Sequence, residues 1–317
     1  MTTYRRETFA IPESLDRDEY IIAKYTFAAE TPDYIKFASR LAIEMSTGSW
    51  IPMPLETPEL IRKHGAKVID VFEVPDYEGV APQGKRMLIL EIAIPVVNIG
   101  YQIAMLLNTF LGAISYFGEI RLVELEFPKS FVQAFPGPRF GVEKLRQELG
   151  VPERPLLLTI IKPCTGLSPN QAGELFYQMA MGGADLIKDD EKMGNTSFSS
   201  VAERVRACMS AAKSVYEATG KMVRYAVNIT DDPDQVMDNA RAAIDAGGNM
   251  LMISHLTAGL GMLRKLAESP EITVPILVHP DMTGVLSRSE KVGVSSHLIL
   301  GKLPRLCGAD IVDVPSP

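Results

Sequence analysis

The run Gly182-Gly183-Ala184-Asp185-Leu186-Ile187-Lys188-Asp189-Asp190-Glu191 concentrates the chemistry of this sequence. A short apolar segment, Ala184 to Ile187, ends abruptly in Lys-Asp-Asp-Glu, as a buried strand does where it meets a polar site. Strand side chains alternate faces, so Lys188 and Asp190 share one side and Asp189 points away. Glu191 lies at the turn beyond and can swing inward. Two carboxylates at a strand end make a hard, oxygen-rich site that suits magnesium better than zinc or copper. Lys188 reads either as the ion-pair partner of these acids or as an amine that reacts with carbon dioxide. The carbamate so formed would be a third anionic oxygen ligand.

Other polar residues close apolar runs in the same way. Lys162 follows Thr159-Ile160-Ile161, and His279 ends Pro275-Ile276-Leu277-Val278-His279. Lys162 is either a solvated strand-end lysine or an amine whose pKa is lowered by burial and a nearby cation, able to move a proton beside a carbonyl. Cys164 has no histidine readable beside it, so a pocket wall is favoured over a nucleophile. His279 and His255 both read as structural on position alone. Asn228 is placed to line the metal side through its amide.

The elements that must hold these residues follow from periodicity. Tyr20 to Phe27 alternates as a strand, and Thr31-Pro32 opens a helix reaching about Met45, with Ile35, Ala38, Leu41, Ala42 and Met45 on its apolar face. Strands are expected over Ala66–Val74, Arg86–Pro95 and Ile120–Phe127, with a helix over Gly100–Leu111. Together these make a small α+β, ferredoxin-like domain of residues 1–136. Phe135-Pro136-Gly137-Pro138 is the linker. Residues 137–317 then alternate apolar strands (starting near 156, 184, 222, 249, 275 and 310) with amphipathic helices. That pattern means buried parallel strands and a (β/α)8 barrel, in which chemistry sits at the C-terminal strand ends. Six strands are readable where eight close such a barrel, so the natural chain is expected to be longer. An open doubly wound sheet is the alternative on pattern, but no glycine fingerprint for a dinucleotide is present.

Composition sets bounds. A formal charge of -7 without a basic run argues against nucleic acid as partner. No stretch is apolar enough to span a membrane. Cys164, Cys208 and Cys307 cannot all pair, and no export signal precedes them, so a cytoplasmic protein is expected.

The Gly-Gly-x-Asp-x-x-Lys-Asp-Asp-Glu run resembles the metal-site signature of the ribulose bisphosphate carboxylase large-subunit family, and the resemblance extends along essentially the whole chain. It implies magnesium held by a carbamylated Lys188 with Asp190 and Glu191. It further implies that Lys162 and His279 are catalytic. Glu44-Met45-Ser46-Thr47-Gly48-Ser49-Trp50 is similar to the family segment that reaches into the partner subunit's active site. By that likeness Glu44, Ser49 and Trp50 would bind substrate across an obligate homodimer. Departures accompany it. Cys164 replaces a lysine, Pro280 a phosphate-holding arginine and Asp313 a histidine. Ala113 stands where carboxylases have asparagine and methionine-salvage enolases a catalytic lysine. The chain therefore resembles a RuBisCO-like protein, not a genuine carboxylase. Because decarboxylation needs no base at position 113, the expected function is a carboxy-lyase forming an enolate from a phosphorylated 3-oxo sugar acid, such as 3-oxo-isoapionate 4-phosphate. The alternatives are a 2,3-diketo-5-methylthiopentyl-1-phosphate enolase and a metal-binding scaffold without turnover.

Overall fold

The computed structural model describes residues 8–30, 33–48, 51, 53–74 and 84–315. In chain order the strands among them are β1 (Tyr20–Ala29), β2 (Lys67–Val74), β3 (Arg86–Pro95), β4 (Glu119–Glu126), β5 (Leu158–Ile160), β6 (Leu186–Lys188), β7 (Arg224–Asn228), β8 (Met250–Ser254), β9 (Ile276–His279), β10 (Gly293–Val294) and β11 (Ile311–Val312). They fall into two compact units, residues 1–135 with 284–299 and residues 136–283 with 300–317.

In the first unit the sheet order is β10-β4-β1-β3-β2. β1 pairs antiparallel with β3 and β4, and β2 antiparallel with β3. The helix Tyr34–Glu44 lies between β1 and β2 in sequence, and Ile103–Leu111 between β3 and β4, which is the ferredoxin-like β-α-β-β-α-β arrangement. Alternation makes β1 a strand, since Ala23, Tyr25, Phe27 and Ala29 are buried while Lys24, Thr26 and Ala28 are less so. Phe27 stacks on Phe37 at 4.6 Å between ring centroids and ties helix to sheet. The buried Tyr25 hydroxyl donates to Phe110 O at 2.8 Å; left unpaired it would cost about 1–3 kcal/mol. Asp33 caps the first helix, accepting from Lys36 N at 2.9 Å. The expected capping pair Thr31-Pro32 lies outside the described residues, and Ile35, expected on the buried face, is 41% exposed. Residues 284–299 return to this unit and add β10 parallel to β4, with Gly293 opposite Arg121 and Val294 opposite Leu122. Ser295 Oγ donates to Val123 O at 2.6 Å beside that pairing.

The second unit carries six parallel strands in the order β11-β9-β8-β7-β6-β5, the sheet of an α/β barrel-type domain. Helices Pro169–Met181, Val201–Thr219, Pro233–Asp245 and Leu260–Glu268 connect β5 through β9. Period two explains how one face serves two purposes. Leu158, Leu186, Ala226, Met250, Met252, Leu277 and Ile311 form a single apolar cluster with Leu145, Leu149 and Val151 of the Gly141–Leu149 helix and its exit. Two residues further along β6, β7, β8, β9 and β11, on the same face, stand Lys188, Asn228, Ser254, His279 and Asp313. The core face of the sheet thus becomes polar at its C-terminal ends. Among the described residues no helix is long and apolar enough to cross a membrane.

Candidate functional site

The strand carrying the Lys-Asp-Asp-Glu sequence is anchored at its start. Gly183 leaves the preceding helix at φ +105°, a conformation that favours glycine. Asp185 then takes Arg154 in a two-pronged pair at 2.7 and 2.8 Å, with Leu157 N–H at 2.8 Å and Lys221 at 3.0 Å. These bonds, Arg154 foremost, hold its carboxyl well below the usual range.

At the other end the alternation read from the sequence is the one observed. Asp189 points away from Lys188 and Asp190 into a buried polar knot. It accepts from the Tyr225 hydroxyl, from Asn228 N at 3.0 Å, and from Arg204 Nε and Nη2 at 3.3 and 3.2 Å. Arg204 also donates to the carbonyls of Met193, Gly194 and Ser199, so it stitches the loop after β6 to the helix it belongs to. Burial pushes the Asp189 carboxyl up against the opposing pull of Arg204 and Tyr225. Nothing local in the sequence marks Arg204 or Tyr225 for this task. The only available signal is a basic residue among the buried positions of the Val201–Thr219 helix.

Lys188 is fully buried, its Nζ makes no hydrogen bond, and it stands 3.5 Å from Asp313 Oδ2. Asp190 accepts from Lys162 Nζ and from Lys192 N at 3.1 Å. Burial opposes ionisation of Asp190, yet these bonds bring its carboxyl down to about 2. Burial likewise works against Glu191, but Lys192, 2.9 Å away, lowers its pKa overall. The Asn228 amide donates to Glu191 O at 2.9 Å and so fixes the turn itself, its own oxygen taking Thr230 Oγ1 at 2.7 Å.

Lys162 departs from the expectation of a depressed pKa. Its hydrogen bond to Asp190, with Cys164 Sγ at 3.2 Å, raises it, and its side chain is 53% exposed. In this arrangement it donates to Asp190. Cys208 and Cys307 are buried, and burial pushes the Cys307 thiol up to about 12, so neither presents a ready thiolate.

His279 ends β9 with Nε2 3.6 Å from Glu191 Oε2 and 3.8 Å from Asp313 Oδ2. Its carbonyl is bonded by the Nδ1 of the fully buried His255 at 2.9 Å, which gives His255 a structural task. Asp281, unmarked in the sequence, lies 3.2 Å from His279 Nδ1. The contacts form two groups, Lys162 with Asp190, and Lys188, Asp313, His279 and Glu191, and Lys192 joins them through Asp190 and Glu191. Glu44 is the last residue of its helix, whereas Ser49 and Trp50 lie outside the described residues.

The donor set can be tested against magnesium. Among the described residues no three His, Cys, Asp or Glu side chains group to hold an ion. Asp190 and Glu191 give two carboxylates, and Asp313 stands 3.5 Å from Lys188 Nζ. The Lys188 amine is buried, makes no hydrogen bond and has only this looser ion pair, so a carbamate formed on it would add an anionic oxygen suited to a hard cation.

The sequence matches the family description "Ribulose bisphosphate carboxylase large chain, catalytic domain" over residues 141–316, and the corresponding N-terminal domain over residues 11–131. A ribulose bisphosphate carboxylase-like protein of Archaeoglobus fulgidus is 46% identical over 97% of this chain and 71% of its own. A 2,3-diketo-5-methylthiopentyl-1-phosphate enolase of Geobacillus kaustophilus is 39% identical over 94% of this chain and 72% of its own. The crystal structure of a rubisco-like protein from Alicyclobacillus acidocaldarius superposes with a TM-score of 0.86 at 34% identity, over 94% of this chain and 73% of that one.

Proposed function

The chain belongs to the ribulose bisphosphate carboxylase large-chain family as a RuBisCO-like protein, and from that premise we propose that it is an enolase-type enzyme acting on a phosphorylated 2,3-diketone. The substrate to test first is 2,3-diketo-5-methylthiopentyl 1-phosphate. The observation that carries the reading is Lys188, a fully buried amine without a hydrogen bond, on the same strand end as Asp190 and Glu191. Carbamylated Lys188, Asp190 and Glu191 would hold magnesium, which when bound supplies Lewis-acid polarisation of adjacent carbonyl oxygens. Lys162, which donates to Asp190, is suited to stabilise and protonate an enolate oxygen. Asn228 keeps Glu191 in register by holding its backbone oxygen.

The sequence alone favoured decarboxylation. Enolase-named relatives matching 94% of the chain favour tautomerisation instead. The carboxy-lyase on a phosphorylated 3-oxo sugar acid stands as a second reading on one observation, Ala113, whose methyl cannot take a proton. Pure protein with magnesium and bicarbonate separates the two. Tautomerisation of the diketone, followed by ultraviolet absorbance, supports the first. Carbon dioxide release from the 3-oxo acid, with the diketone inert, replaces it with the second. If neither substrate turns over and Lys188→Met changes nothing measurable, a scaffold role is what remains.

By the family likeness Glu44, Ser49 and Trp50 serve a second copy's site, so a homodimer is part of the proposal. Mixing Lys188→Met with Trp50→Ala protein tests it, since mixed dimers regain one intact site and activity returns only if sites are shared.

A further inference from the structure

Arg204, which holds Asp189 on the far side of the turn from Asp190, also lines a cleft of about 120 Å³ that none of the preceding assignments uses. The walls come from the loops after β5 and β6, and Leu167, Met193, Gly194, Phe198 and Ser199 define its chemistry. Two observations mark it as a space to be filled. The first is Ser199, 3% exposed, whose Oγ makes no hydrogen bond among the described residues. A loose backbone is not the reason. Ser199 N–H donates to Thr196 O at 3.2 Å, and the Ser199 carbonyl accepts from Arg204 Nη1 and from Thr196 Oγ1 at 3.4 Å. The second is Gly194. Its φ lies outside the left-handed region, and a Cβ built there would meet nothing within 4 Å. Neither backbone conformation nor a neighbouring atom requires glycine, so the missing side chain leaves the space beside it open.

The lining restricts what can enter. Leu167 and Met193 are buried and the Phe198 ring is 56% exposed, so the surface on offer is mainly apolar. Arg204 has no charge-assisted bond to spare. Nε and Nη2 serve Asp189, and the other N–H groups go to the carbonyls of Met193, Gly194 and Ser199, which uses every donor of the guanidinium. Lys192 Nζ, also at the cleft, is bonded to Glu191 Oε1 at 2.9 Å. An anion therefore finds no unspent cation. A single water takes about 30 Å³ of liquid, whereas a dry apolar cavity of about 150 Å³ takes benzene. A cleft of about 120 Å³ suits an organic molecule of about five non-hydrogen atoms.

We propose that this cleft binds an uncharged small molecule, an alkyl or thioalkyl body with a single hydroxyl or carbonyl group that bonds Ser199 Oγ. The proposal stands whether or not the chain is an enolase. Its effect reaches the turn, because Met193 and Gly194 wall the cleft and their carbonyls hold Arg204 on Asp189. An occupant braces that loop, since a ligand that binds only the closed form makes opening rarer by mass action.

The probe is 2-methylpropan-1-ol, added to the whole chain carrying 13C at its methionine methyl groups. The Met193 signal, identified with Met193→Leu, is expected to move saturably with alcohol concentration. Ser199→Ala should weaken binding about 10-fold without lowering the melting temperature, because the hydroxyl removed has no partner. Gly194→Leu fills the cleft and should abolish binding. Gly194→Ala takes part of the same space and should weaken it, which keeps the test alive if the leucine variant fails to fold. The anion 2-methylpropanoate, with the same body, should leave the signal where it is. At roughly ten times Kd, amide exchange at Met193 and Gly194 should slow about 10-fold. A Met193 signal unmoved by the alcohol overturns the proposal, as does undiminished affinity in Ser199→Ala or in the Gly194 variants. An equal response to 2-methylpropanoate overturns the uncharged class, and unchanged amide exchange with alcohol bound overturns the bracing.

Discussion

Replacing Arg204 with methionine is the sharpest test of what holds the Lys-Asp-Asp-Glu turn in place. Arg204 is 1% exposed and Asp189 is fully buried, so the pair sits where water cannot take over a lost partner. Without the guanidinium, Asp189 keeps only the Tyr225 hydroxyl and the Asn228 N–H, both neutral, and the carbonyls of Met193, Gly194 and Ser199 lose a donor. Breaking a buried pair from one side costs about 3–5 kcal/mol, because the charge left behind is uncompensated. Arg204→Met should therefore lose about that much in urea unfolding followed by circular dichroism, as a shift of midpoint at constant slope. Asp189→Asn alone should cost less, since the amide oxygen still accepts from Tyr225 and Asn228 while the three carbonyls still serve Arg204. The double variant carries neither charge and should be more stable than the sum of the singles by about 1–3 kcal/mol, the coupling expected of residues in one network. An Arg204→Met cost below about 1 kcal/mol, or strict additivity, would refute the argument that this pair is a shielded one.

Other outcomes follow from single residues. Lys188→Met removes a buried amine that makes no hydrogen bond and whose ion-pair partner, Asp313, is part-exposed and can be hydrated, so melting temperature should change little while magnesium binding by calorimetry disappears. Asp190 has a folded-state pKa of about 2 against roughly 3.9 when unfolded, so its stabilisation is complete above the unfolded value and lost as pH falls toward 2. Asp190→Asn should accordingly flatten the acid side of the stability curve in that window, as read by denaturation at a series of pH values. Ser168 and Gln171 form a capping box at the helix Pro169–Met181, with Ser168 N accepted by Gln171 Oε1 at 2.9 Å. Ser168→Ala should cost about 0.5–2 kcal/mol in the same unfolding assay.

What the sequence disclosed and what it hid divide along physical lines. Period-two and 3.6-residue patterns located the strands and the main connecting helices, because each buries one face against its own layer. The abrupt change from apolar to Lys-Asp-Asp-Glu marked the site for the same reason, and the opposed directions of Lys188 and Asp189 follow from the pleat alone. The Gly141–Leu149 helix was not legible, since its role is to cover the apolar interior with only Leu145 and Leu149 buried. Arg204 and Tyr225 were not legible either. Each acts through a partner distant in sequence, and a single residue type carries no record of that partner. Nor does the sequence say that Asp190, 28 residues on, takes the Lys162 amine.

The return of residues 284–299 to the first sheet has a consequence for synthesis on the ribosome. β4 is complete at Glu126, but the strand that lies along its outer side begins only at Gly293. At about 5–20 residues per second, the outer hydrogen-bonding groups of β4 emerge roughly 8–30 s before their partner exists. During that interval the nascent chain exposes an open sheet edge, the kind of template on which neighbouring chains pair wrongly.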